Sequence, residues 1–348
     1  MGKPMSKRKK HKNNPARKFI AVLAALCVCG AAILVYLACG ELGERRTGES
    51  YYASLVAGRD NARPADERVE AQKDVIEAVM RQQQAREASP EAYEVSEELS
   101  AHFAEGEPVT SDAAEASQGN ESANAETIAG PDVREFSQED FWRLLDELTI
   151  RPSSMDFAPV VETCPDLVGW LRIDDTVIDY PIVQGANNEY YLHHLADKTP
   201  NSNGAIMMAA GNDALWRDMI TTLHGHHMRS GAMFGDLSEY SKEGYYEMHP
   251  VAKVYTPLGD YEARIFAACV VNPAEFHYPM NLPEEEFNAM VEQFRKSSPF
   301  VSDVDVSYGD RLLLLSTCEY TFPNARYVVM AKLVPWSGEE ESGADERP

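Results

Sequence analysis

Four consecutive leucines, Leu312 to Leu315, run straight into Ser316-Thr317-Cys318, and a second β-branched and aromatic run, Tyr327 to Val334, follows a turn holding Pro323 and Asn324. Apolar runs of this length, the second broken only by Lys332, read as buried strands when turn residues bound them. If the two strands pair antiparallel, the end of the first lies beside the start of the second, so Cys318 comes within side-chain reach of Arg326. A guanidinium next to a thiol favours the thiolate and can hold a carbonyl oxygen or an oxyanion. That is a catalytic arrangement lacking only a base.

A base is offered upstream by His224-Gly225-His226-His227-Met228, after the strand-prone Met219-Ile220-Thr221-Thr222. Cysteine nucleophiles draw on a histidine that is near in space and often distant in sequence. The same cluster has a competing reading as a metal site. Zinc ligands usually recur at helical i, i+4 spacing or as paired Cys and His, whereas adjacent His226 and His227 point apart on a strand or turn. No metal is therefore expected.

Three separated motifs in order, Gly169 to Met208, His224 to Leu237 (HGHHMRSGAMFGDL) and Leu315 to Leu333 (LSTCEYTFPNARYVVMAKL), resemble the sortase family, and within it class B. The resemblance covers Phe136 to Val334. It implies a mainly β fold, the eight-stranded sortase barrel with peripheral helices. It also implies a cysteine transpeptidase that requires no cofactor, in which Cys318 is the nucleophile, His226 the general acid and base, and Arg326 the holder of carbonyl and oxyanion. Ser316, Thr317 and Glu319, flanking the nucleophile, are expected as substrate-binding cleft walls, with His194 approaching from a surface loop. The implied substrates are surface proteins bearing a C-terminal sorting motif of the LPxTG or NPxT kind. The implied acceptor is an amine, from a peptidoglycan precursor or a pilin-type lysine. Two alternatives stand beside this reading: a thiol protease acting on the same peptides, and an anchored domain that binds them without cleavage. The sequence also departs from the class B pattern, with His224 where a tyrosine is usual, His227 where an asparagine is usual, and Ala209 and Ala210 where an acid often stands.

The net charge of −24 argues against nucleic acid as a partner, yet it conceals a basic start. Lys3, Lys7, Arg8, Lys9, Lys10, Lys12, Arg17 and Lys18 fall within the first eighteen residues, which contain no acid. The next 21 residues, Phe19 to Cys39, are uninterruptedly apolar, long enough to cross a bilayer as a helix. Residues 1–18 are thus expected as a cytoplasmic tail, 19–39 as a transmembrane anchor, and the rest as extracellular; the resemblance implies the plasma membrane of a Gram-positive-type bacterium. A cleaved signal peptide is the rival reading. Residues 40–135 read as an acidic, largely disordered tether, because Pro90 to Pro131 has many acids and neither Lys nor Arg. Within it, residues 61–88 suggest a solvated or partner-binding helix.

The catalytic domain is expected over 136–336, followed by a disordered tail at 337–348. Ser137 and Asp140 suggest a capping box, and Phe141, Leu144, Leu145 and Leu148 follow at helical spacing. Strands are expected at 167–173, 177–183, 205–208, 252–256 and 261–271 besides the final pair, and a helix at 283–296. Outside the anchor lie three cysteines, Cys164, Cys269 and Cys318, so at least one is free or bridged to another molecule. Cys269, within an apolar run, reads as a buried strand residue, and a Cys164 to Cys269 disulfide has no spacing rule to support it.

Overall fold

A computed structural model describes residues 40, 42–57, 64–87, 151, 153–318 and 324–336. The expected anchor at 19–39, the acidic stretch at 90–131, the helix beginning near Ser137 and the tail at 337–348 all lie outside the described residues. Among the described residues no helix is long and apolar enough to cross a membrane. The chain divides into two units, Met1–Thr47 and Gly48–Pro348. In the first, residues 42–47 are helical. All strands among the described residues belong to the second.

Eight strands close into a barrel: β1 (Leu167–Arg172), β2 (Asp179–Val183), β3 (Ile206–Met208), β4 (Ile220–His224), β5 (Val251–Thr256), β6 (Gly259–Val271), β7 (Leu312–Cys318) and β8 (Arg326–Trp336). The order around the barrel is β1-β2-β3-β4-β7-β8-β6-β5, with β5 pairing back to β1. Two pairs are parallel, β2 with β3 and β4 with β7, and the rest are antiparallel. The leucine run is apolar on both faces because both are covered. Leu313 and Leu315 enter the main core, while Leu312 and Leu314 join Val328 and Met330 in a second cluster outside the wall. That outer cluster is closed by a helix (Glu284–Ser297), whose Phe287, Met290, Val291 and Phe294 are buried. Three glutamates open this helix, and Arg295 and Lys296 close it, each complementing the helix dipole. The segment between β6 and β7 that contains it therefore roofs the face on which Ser316, Cys318 and Arg326 emerge.

The expected helix at 61–88 forms over Ala65–Glu87, but it is not a solvated part of a tether. Val75, Ile76, Val79 and Met80 are buried in the main core. Gln72 donates to the carbonyls of Arg151 (2.9 Å) and Pro257 (2.7 Å), and accepts from Ser153 N (3.2 Å). Arg86 donates to both oxygens of Gln184, at 2.6 and 2.8 Å. The folded domain thus begins well before residue 136. Helical residues 48–57 join it as well: Tyr52 is 4 % exposed, its ring stands T-shaped on Tyr180, and its hydroxyl donates to Gly204 O at 2.7 Å. Cys164 and Cys269 are free and buried, so no disulfide links them.

Candidate active site

Cys318 is the last residue of β7 and Arg326 the first of β8, and the antiparallel register makes them partners across the pair. His226 follows β4 by two residues. β4 runs parallel to β7 with His224 beside Ser316, so the histidine loop leaves the barrel at the same end as the cysteine. The loop is stitched to β7 by Gly225 N to Ser316 O (3.2 Å) and Thr317 Oγ1 to Gly225 O (2.8 Å). His226, Cys318 and Arg326 consequently line one cavity of about 500 Å³. Sequence alone suggested the trio, and the topology gives it a common space.

His226 is oriented from behind. Its Nε2 lies 2.7 Å from Leu192 O. A carbonyl only accepts, so Nε2 carries the proton and Nδ1 keeps a lone pair. Burial pushes this imidazole below its ordinary pKa, the Leu192 carbonyl works the other way, and the nearby His193 lowers it further. Gly204 makes the placement sterically possible. Its φ is +61°, and an added Cβ would stand 2.8 Å from Leu192 O and 3.1 Å from His226 Cδ2.

Arg326 Nη1 donates to Asn324 O (3.0 Å) and Ala325 O (3.2 Å), which ties the guanidinium to the turn before β8. That use of one nitrogen fixes the fork while leaving Nη2 and Nε as further donors. His227 points away from His226, as expected of neighbours, and its Nδ1 donates to Cys318 O at 2.8 Å. It therefore steadies the backbone of the cysteine, a role its sequence neighbourhood did not announce.

Ser316 and Thr317 both line the cavity, but their hydroxyls are already engaged, Ser316 with Tyr278 OH at 2.8 Å and Thr317 with Gly225 O. They shape the wall more than they offer free groups. Glu319 lies outside the described residues. His194 does not line the cavity: its ring stacks on Tyr190, 4.0 Å between centroids at 4°, and Nδ1 bonds Tyr190 O at 2.8 Å. The expected approach to the cleft is thus not seen at this cavity, and the ring is held by the short helical turn that precedes it. Tyr278, Asn188 and Leu192 enter the cavity instead. Asn188 and Leu192 fall within the first of the three motifs without having been expected at the site, and Tyr278 lies outside all three; each is brought there by a loop. Asn188, for example, accepts from Ala210 N at 2.7 Å, just after β3. Among the described residues no three His, Cys, Asp or Glu side chains gather as a metal site.

A sortase domain matches residues 171–334. Sortase B of Listeria monocytogenes is 36% identical over 172 residues, which are 49% of this chain and 70% of that protein. Sortase B of Staphylococcus aureus is 30% identical over the same length, again 49% of this chain and 70% of that one. Among solved structures, S. aureus sortase B superposes with a TM-score of 0.50 at 28% identity, covering 57% of this chain and 96% of that one. A substrate complex of the S. aureus enzyme also superposes with a TM-score of 0.50, at 28% identity and 57% and 93% coverage.

Proposed function

The chain belongs to the class B sortases, which are cysteine transpeptidases, and on that premise we propose that it cleaves a C-terminal sorting motif in surface proteins and passes the acyl part to an amine. The observation that carries the assignment of roles is the shared cavity of Cys318, His226 and Arg326. In the proposed reaction the Cys318 sulfur attacks the threonine carbonyl of an LPxTG- or NPxT-like peptide. His226 Nδ1 takes the thiol proton as the S–C bond forms and gives it to the leaving amine as the C–N bond breaks. The incoming amine, from a peptidoglycan precursor or a protein lysine, then attacks the thioester. It loses its proton to His226 as the C–S bond breaks. Arg326, tethered by one nitrogen, places its remaining donors toward the oxygen that becomes negative in both steps.

The apolar stretch Phe19 to Cys39, with its basic flank, supports an anchored enzyme whose catalytic domain faces outward from the plasma membrane. Incubating the protein with a sorting-peptide library, with and without an amine, and reading products by mass spectrometry tests the proposal. Amine-dependent ligation is expected in the native protein, and Cys318→Ala is expected to abolish cleavage and transfer while the melting temperature holds. Products that form only by water addition would favour the protease. Activity persisting without the thiol would remove the mechanism.

A further inference from the structure

His224 stands at the end of β4 on the strand face shared by Ile220 and Thr222. Ile220 belongs to the outer cluster with Leu312 and Leu314, so the same face carries His224 outward beside Ser316 and into the cavity. Its ring packs T-shaped on Tyr278, 5.3 Å between centroids at 75°. The other two histidines of the motif each commit a nitrogen to a carbonyl, His226 to Leu192 and His227 to Cys318. His224 commits neither, since no hydrogen bond joins its nitrogens to any described residue. The ring is held neutral: desolvation first, and the Arg326 charge second, lower its pKa to about 4. A neutral imidazole presents one N–H donor and one bare acceptor.

We propose that His224 is a specificity-determining residue that hydrogen-bonds the bound peptide and selects an uncharged polar group there. A peptide filling the cavity displaces the water that would otherwise serve these nitrogens. If it brings no hydrogen-bonding group, two polar atoms are left unpaired, which is costly. A lysine or arginine side chain at this place meets Arg326, and the described residues lining the cavity include no carboxylate to offset it. The proposal takes its ligand, a sorting peptide, from the function proposed above.

The test compares the full-length chain, purified in detergent, with His224→Phe, which keeps ring packing on Tyr278, His224→Leu, which does not, and His224→Gln, which keeps a donor and an acceptor. Peptides varied one position at a time are assayed for cleavage. The same substitutions in a Cys318→Ala background are assayed for binding. His224→Phe and His224→Leu are expected to weaken the preferred peptide about tenfold, in KM and in binding more than in kcat, as for one lost hydrogen bond. His224→Gln is expected to recover much of it, and a peptide with an apolar residue at the sensed position should lose nothing. An unchanged peptide ranking in both apolar variants, with cleavage intact, overturns the role of His224 and leaves the transpeptidase standing. Binding that depends on His224 without cleavage by the native chain does the reverse. Absence of both binding and cleavage overturns both.

Discussion

At the scale of single residues, the site depends on groups that hold other groups. Gly204 combines a left-handed φ with a contact to the backbone that orients His226. Gly204→Ala is therefore expected to cost about 1–3 kcal/mol of stability through strain. It should lower kcat more than it raises KM, because the Leu192 carbonyl must move; melting curves and steady-state kinetics read the two effects. Arg326 is expected to resist conservative replacement. A lysine has no planar fork with which to hold the turn carbonyls and a substrate oxygen at once, so Arg326→Lys should lose about 10²-fold in turnover or more. A third expectation concerns acid. The folded pKa values of His224 and His226 both lie below the ordinary 6.5, His224 at about 4. The unfolded chain therefore binds protons first as pH falls. Stability from these two rings is complete above about pH 6.5 and declines from there toward pH 4. Thermal melts across that window should show a shallower decline in His224→Phe than in the native chain.

Among the elements, those with a local cause were legible and those with a distant one were not. The leucine run, the alternation along β5 and the amphipathic helix at Glu284–Ser297 follow from neighbours in sequence, and their observed bounds lie within a residue or two of expectation. The Cys318 and Arg326 pairing followed from one hairpin inference. The parallel pairing of β4 with β7, which brings the histidine loop to the cysteine, has no local signature. It was not anticipated; the resemblance of motifs supplied only the roles of Cys318, His226 and Arg326. The helix at Ala65–Glu87 was misjudged for the same reason: its partners Arg151, Pro257 and Gln184 are far along the chain, and its own apolar positions are few. Ile76 is fully buried there. Ile76→Ala should destabilise the domain by about 2–4 kcal/mol, as core truncations do. Denaturant titration would show it as a lowered midpoint, whereas an unchanged midpoint would return the helix to the tether.

For the molecule as a whole, the docked helix sets where the protein can be cut. A fragment starting at Gly48 should fold cooperatively, while one starting at residue 136 loses Ile76 and its neighbours from the core and should melt at least several degrees lower. Circular dichroism of the two fragments checks this. The closed ring of strands has a different consequence. Many proteins seize extended peptides by β-augmentation, letting the ligand zip its main chain onto a strand at the margin of a sheet. Here the described strands form a ring in which β1 meets β5, so a visiting peptide finds no strand with a whole side left open to extend. Its grip must come from side chains and loop groups, which makes recognition a matter of what the peptide carries rather than of its backbone. The same closure denies a template to other copies of the chain, a useful property for a protein that handles extended polypeptides.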